Sequence, residues 1–542
     1  MVKRKPSTQG DLRSSPIVLS MMKVSPISLS SWNIQRSQSF FPPLETLFKT
    51  DDVPHIHEYG IRFPDPISAV TGESEIRLLS GKTVPIHLKK TMLLNPFKWM
   101  KGEYGTLGLP ISRTHADEIH TKLHSPHTAG YVGSILSIAL SQSECIHFPK
   151  VYGVYTGTTN KHTIDVSDEY EILSERRWFS QNIGKTFQIS LNEEVSHTIS
   201  YTRSARPSIL LGDDIELDGV QEIEGIPTTD AEAGDMTPVF QEDELPEGDD
   251  ENSDLSTSYV FNIESLGTSD IPSEIGDAMP MEAEEEDDTS FAWASFSDVP
   301  VQVTVMEKCE GLFYKLLKSD MNVEHQMAWF AQVIFALAFA QRNFGFTHND
   351  LHANNVMYNK TSVEYLYYIH GGIQYCVPTY GYLIKIIDFD RGIGYVRLPG
   401  MKEPKLFMSD QFAPNEEAGG QYNMHPFFHA KYPGLKPNPS FDLVRLATSL
   451  FWDLFPYGPR YDAYAENPIF KMFVRWMTLP DGSSVLFHKV QPKIDRYPGF
   501  HVYKAIARYC KDTAVPRKEI ADMKQYVVSS IPAGQIPLVI DI

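Results

Sequence analysis

Lysine and arginine are missing altogether from Pro207 to Glu307, a stretch that holds 29 of the chain's 69 acidic residues. The net charge of −21 is therefore local, because the rest of the 542 residues carries 40 acids against 48 bases. Blocks such as Glu242-Asp243-Glu244 and Glu282-Ala283-Glu284-Glu285-Glu286-Asp287-Asp288 sit among Ser, Thr, Pro and Gly. Such composition buries too little apolar surface to offset chain entropy, so 207–298 is expected to be a long disordered acidic insert. The plain reading is a solvated spacer; the sharper one, from charge complementary to the net-basic remainder, is a regulatory arm that makes an intramolecular contact with the folded body.

Cysteine is also scarce. Cys145, Cys309, Cys376 and Cys510 are widely spaced and form no Cys-x-x-Cys, which argues against a disulfide framework or a zinc site and fits a reducing intracellular compartment. No apolar run of signal-peptide type precedes Phe40, and no transmembrane segment is expected, so residues 1–55 read as a flexible basic Ser/Pro-rich tail. Nothing in the pattern indicates nucleic-acid binding. The 42% hydrophobic content suffices for one large two-lobed unit.

What is present centres on Thr347-His348-Asn349-Asp350-Leu351-His352-Ala353-Asn354-Asn355-Val356, followed by Ile386-Ile387-Asp388-Phe389-Asp390. Phosphoryl transfer from ATP needs a carboxylate to orient the attacking hydroxyl and hard oxygens to hold a nucleotide-bound Mg2+. Asp350 suits the first role and Asn355 and Asp388 the second. The setting agrees: Met327–Ala340 reads as a buried helix ending near Gly345, and Tyr382–Ile387 reads as a buried strand that delivers Asp388.

Upstream, Ser68–Lys90 reads as two or three strands with a glycine turn at Gly72, and Val84, Ile86 and Leu88 share one face. Lys89, with Lys90 as rival, is the expected phosphate-binding lysine, although no complete Gly-x-Gly-x-x-Gly precedes it. A helix is expected from Thr128 to Ala139 and carries no acid to pair with that lysine; Asp117 and Glu118 just upstream are the substitutes considered. His120 and His124 have helical spacing but lack the His-Glu-x-x-His pattern and read as structural. Val299–Met306 alternates as a strand leading into Glu307-Lys308-Cys309-Glu310-Gly311, a connector whose backbone at Glu307 and Cys309 would meet an adenine edge.

These residues resemble the protein-kinase superfamily, and in particular the serine/threonine kinases of large DNA viruses. The family's signature is His-Arg-Asp-Leu-x-x-x-x-Asn with a later Asp-Phe-Gly. Asn95–Gly105, Pro149–Gly153, Val377–Gly381 and Pro437–Leu443 add weaker support. The resemblance implies an α+β fold with a β-rich small lobe (56–206), the insert (207–298), a last strand and connector (299–311) and a mainly helical large lobe (312–542). It implies ATP and Mg2+ as cofactors, Ser/Thr-containing viral or host proteins as substrates, a host-cytoplasmic site of action with virion packaging as an option, and Asp442 as the anchor of the catalytic loop. A helix N-cap is the plainer role for Asp442.

Three positions depart from the family pattern. Asn349 replaces the usual Arg, which puts phosphorylation-dependent activation in doubt. His352 stands where a Lys normally faces the γ-phosphate, and Asp390 replaces the glycine after Asp388-Phe389. The pattern His-x-Asp-x-x-x-x-Asn with Asp-Phe-Asp is also similar to small-molecule kinases of the aminoglycoside-phosphotransferase type. A catalytically weak pseudokinase scaffold is the third reading. The segment from Arg391 to Asn438 is expected to be long and irregular.

Overall fold

The computed structural model describes residues 19–39, 58–104, 122–191 and 291–540, apart from isolated positions and short gaps within these ranges. Asp117, Glu118, His120, the acidic insert up to residue 290 and the first part of the tail lie outside the described residues, and so does any contact between that part of the insert and the body. The fold is α+β, with mixed helices and sheets.

The largest sheet has six strands: β1 (Ile34–Gln38), β2 (Ile67–Val70), β3 (Glu75–Leu78), β4 (Thr83–Met92), β5 (Val151–Thr159) and β6 (Val299–Glu307). All neighbours are antiparallel, in the order β1-β5-β6-β4-β3-β2. The alternation seen in the sequence places Val84 and Ile86 in the core, 7% and 2% exposed, while the intervening positions face out. β4 runs on to Met92, so Lys89 lies inside a strand and not at its end, directly opposite Thr304 of β6.

Two domain boundaries need correction. The expected tail contributes β1 as an edge strand, and its Leu29, Trp32 and Ile34 are buried. These three apolar side chains gain cover that a flexible tail would deny them. At the other end, Ala292–Phe296, expected within the acidic insert, is a strand between His162–Asp165 and Gln188–Leu191, with Ala292, Ala294 and Phe296 facing inward. Period-two burial in that segment outweighs its acidic surroundings.

Helix α1 (Ala129–Ser141) packs on β4, β5 and β6. Gly130 allows the close approach, since a Cβ there would stand 3.0 Å from Gln302 and 3.3 Å from Thr91. Helix α2 (Val323–Phe344) is buried along nearly its whole length, capped by the Asn322 side chain and ended by Gly345 in the left-handed region at φ 54°. A three-stranded sheet joins Gly311–Leu312, β7 (Val356–Lys360) and β8 (Tyr382–Ile386). Helix α3 (Phe441–Leu454) and helix α4 (His501–Tyr509) pack against each other nearby.

The segment after Arg391 is less irregular than expected. Ile393–Val396 pairs with Lys405–Met408, and Thr347 bridges to Ile393, so this hairpin is tied to the loop that precedes Asp350. No described helix is long and apolar enough to cross a membrane.

Candidate active site

The loop from Thr347 to Asn355 is held from below by one buried carboxylate. Asp442, in the first turn of α3, accepts the backbone N–H of His348 at 2.9 Å and of Asn349 at 3.0 Å. It is fully buried and caps no helix; its hydrogen bonds go to the loop. Asn349 adopts φ 64°, a costly conformation for a side-chain-bearing residue, and its amide holds it there. Nδ2 donates to Thr347 O and Arg391 O, and Oδ1 accepts from the Tyr422 hydroxyl at 2.7 Å. The residue that departs from the family's arginine is thus an internal staple. His348 Nε2 lies 2.7 Å from Ile387 O, which ties the loop to the chain just before Asp388.

Sheet register places the next pair. Val356 stands opposite Ile386 in the β7·β8 ladder, and Ile387 N donates to Asn355 O at 3.0 Å, so Asn355 and Asp388 emerge side by side. Asn355 Nδ2 donates to Asp350 O at 2.8 Å, and Oδ1 accepts no hydrogen bond among the described residues. Asp388 has φ 63° and accepts Lys89 Nζ at 2.6 Å; the same ammonium lies 2.8 Å from Asp390 Oδ1. Burial works against charge on Lys89, yet the two carboxylates outweigh it and raise its pKa. Burial likewise opposes charge on Asp388, but Lys89 pulls its pKa down, while burial pushes that of Asp390 up.

Asp350 is 13% exposed. Burial alone would raise its pKa, but Arg391 and His352, helped by a 2.6 Å hydrogen bond from the Tyr503 hydroxyl, bring it down to about 2. Arg391 lies between two acids, with Nη1 3.9 Å from Asp350 Oδ2 and Nη2 3.5 Å from Glu417 Oε2. A cleft with about 640 Å³ of empty space opens over Asp350, Asp388, Asp390 and Arg391, bounded by the end of β4 and by Glu417.

The remaining expected residues lie at varied distances from this centre. Lys90 points away and donates to Trp32 O at 2.9 Å, so of the two lysines only Lys89 meets Asp388. Gly72 sits in the turn between β2 and β3, where its carbonyl accepts from Trp32 Nε1. Glu307 is engaged elsewhere. Its carboxylate takes Lys385, Asn359 and the Lys150 N–H, and its own N–H donates to Lys150 O, so that amide is not available to an adenine. Cys309 is half-buried, and burial pushes its thiol up to about 12. His352 is held neutral, because burial takes its pKa down to about 4; it lies 3.1 Å from Asn355 Nδ2 and supplies no cation for a phosphate at neutral pH.

Tyr503, Arg391, Glu417, Thr91 and Gly133 were not singled out from the sequence. Only Arg391 carried a local signal, as a cation next to Asp388-Phe389-Asp390.

No family model matches the chain. Curated relatives do. A serine/threonine-protein kinase haspin homolog of Arabidopsis thaliana is 35% identical over 69 residues, 13% of this chain and 12% of the relative. A protein of Acanthamoeba polyphaga mimivirus, named as a serine/threonine-protein kinase, is 30% identical over 143 residues, 24% of this chain and 30% of the relative. The serine/threonine-protein kinase haspin of Bos taurus is 40% identical over 58 residues, 11% and 7% of the two chains. The chain spans less than a third of the length of each of these relatives. It resembles the protein-kinase superfamily, a viral kinase included.

Proposed function

We propose that this chain is a two-lobed protein kinase that uses ATP and Mg2+ to phosphorylate serine or threonine hydroxyls of viral or host proteins. The observation that carries the reading is that Asp350 and Asp388 line one cleft, with Lys89 bonded to Asp388 and Asn355 bonded to the backbone of Asp350, on segments hydrogen-bonded to one another. In this reading the six-stranded sheet is the core of the small lobe and the helices from Phe313 onward build the large one.

Asp350 orients the attacking hydroxyl through Oδ2, since Oδ1 is taken by Tyr503. The hydroxyl oxygen bonds to the γ-phosphorus as the bond to the β–γ bridging oxygen breaks. A carboxylate this acidic takes the proton late, as the new O–P bond forms. The oxygens of Asn355 and Asp388 are hard donors that fit Mg2+, which ordinarily takes one or two protein oxygens and completes its shell with phosphates and water. When bound, the metal neutralises charge on the transferring phosphoryl group. Lys89 positions the nucleotide's phosphates, and Cys309 in the connector offers its backbone to the base.

Purified protein with labelled ATP and Mg2+, offered generic protein substrates and small alcohols in parallel, tests the reading. Label is expected on Ser or Thr of protein and is lost in Asp350→Ala. Label only on the alcohols would replace the reading with a small-molecule kinase, and nucleotide binding without transfer would replace it with a scaffold.

A further inference from the structure

A buried lysine needs a lasting partner, because an uncompensated charge in a protein interior is expensive. Lys89 is 14% exposed and has two partners, Asp388 and Asp390. If Asp388 is the metal ligand, as proposed above, its charge is shared with the nucleotide's metal whenever substrate is bound. Asp390 then remains. The helix packed over this strand, α1, has no acidic residue along its length to take that place.

Both carboxylate oxygens of Asp390 have partners. Its Oδ1 takes Lys89 and its Oδ2 accepts from the Thr91 hydroxyl at 3.0 Å. Lys89 and Thr91 are two residues apart on β4 and so project from the same face, which clamps both carboxylate oxygens onto one strand. From above, the backbone of α1 closes over the carboxylate at Gly133. A Cβ built on Gly133 would overlap the Asp390 carboxylate, and its next contact, the carboxyl carbon, would be at 3.0 Å. Any other residue at 133 therefore displaces Asp390. Glycine inside a helix is less favourable than alanine, so the position carries a local penalty that the close approach accounts for.

We infer that Asp390 is the positioning residue for Lys89, and that Gly133 is the complementary small residue that lets a carboxylate from the metal-binding loop occupy the place a helix acid would otherwise fill. The inference rests on the kinase reading for its function and on geometry for the pair itself. One consequence follows for control: the lysine is tied to the loop that carries Asp388, so displacing α1 does not by itself break the ion pair.

The experiment moves the acid from one segment to the other. Asp390→Asn keeps volume and a hydrogen bond to Thr91 but removes the charge; it is expected to raise the KM for ATP about tenfold and to lower kcat. Asp390→Gly should do the same. Gly133→Asp alone should be impaired, because two carboxylates then compete for one space. Asp390→Gly together with Gly133→Asp should recover the KM for ATP to within about threefold of the wild type, with an unchanged Mg2+ requirement. Full activity in Asp390→Asn would overturn the inference. So would a double variant no better than Asp390→Gly, or one whose Mg2+ requirement rises, which would make Asp390 a metal ligand. A double-mutant cycle on melting temperature with Lys89→Met and Asp390→Asn separates this from the kinase reading. Non-additivity of at least about 2 °C in a protein that transfers no phosphate would sink the activity and leave the pair standing. Additive melting temperatures would sink the pair.

Discussion

Tyr503 donates its phenolic hydrogen to Oδ1 of Asp350 at 2.6 Å, from a helix 153 residues further along the chain. The ring is 1% exposed and lies under the guanidinium of Arg445, 4.6 Å from the ring centroid, so the hydroxyl has little freedom to turn away. It fixes Oδ1 and leaves Oδ2, the oxygen to which the proposed function assigns the attacking hydroxyl.

Tyr503→Phe removes that bond and little else. Hydrogen bonds to charged groups contribute about 1.5–3 kcal/mol, so a stability loss of this order is expected in urea denaturation at pH 7. Because the bond favours the ionised form, its loss raises the pKa of Asp350 from about 2. The kcat for phosphoryl transfer should fall by about tenfold or more, with the KM for ATP nearly unchanged, because nothing that Tyr503 is seen to touch binds the nucleotide. An unchanged kcat would show that the contact is structural only.

Asp442 invites a graded test. Asp442→Ala leaves the N–H groups of His348 and Asn349 without acceptors in a fully buried setting, and each orphaned donor costs about 1–3 kcal/mol. A loss of about 3 kcal/mol or more is expected, together with weaker catalysis as the strained φ of Asn349 relaxes. Asp442→Asn keeps one acceptor and should fall between the two. Equal stability for all three proteins would remove Asp442 as the loop's anchor.

How far the sequence discloses this site depends on the range of each contact. Asp350, Asn355 and Asp388 sit on short segments with fixed offsets, and the apolar runs around them, Met327–Ala340 and Tyr382–Ile387, lie in α2 and across β8 and its end. Local pattern is enough to place them. The hairpin Ile393–Val396 with Lys405–Met408 escaped notice because each strand has four residues and Gly394 interrupts the first. Gly394 also sits close against Leu136 of α1, where a Cβ would stand 3.0 Å from that side chain, a contact distant in sequence. Tyr503 and Gly133 had no local signal at all. A helical glycine reads as a weakness until Asp390 is seen beneath it, and the missing helix acid reads as decay until Lys89 is seen with another partner.

Glu417 makes stability depend on pH. Burial pushes its pKa up from 4.5 to about 7 despite Arg391 nearby. The folded state therefore holds a proton that the unfolded state releases at lower pH, so this group's contribution to stability is full below about pH 4.5 and is lost as pH rises through about 7. A shift of this size corresponds to about 3 kcal/mol at most. Between pH 5 and 8 the melting temperature of the wild type should decline more steeply than that of Glu417→Gln, which cannot ionise. Parallel curves would rule the group out.

Glu416, beside Glu417, is tied to the far edge of the cleft. Lys98, on the short helix Pro96–Met100, reaches Glu416 Oε1 at 2.6 Å, and Asn95 Nδ2 reaches Glu416 Oε2 at 3.2 Å. Lys122 stands 3.8 Å from the same carboxylate and 4.0 Å from Asp410. Lys98 and Glu416 are 27% and 16% exposed, enclosed enough for the pair to matter and open enough for salt to weaken it. The Lys98 and Asn95 contacts hold Glu416 against the region just past β4, the edge of the cleft. Lys98→Ala should speed amide exchange across 410–418 by roughly tenfold, the equivalent of about 1.4 kcal/mol of local stability, while exchange in α2 stays as in the wild type. Raising the salt concentration should narrow the difference between the two proteins. Uniform acceleration throughout the chain would mean that Lys98 supports the whole fold and does not specifically hold this segment closed.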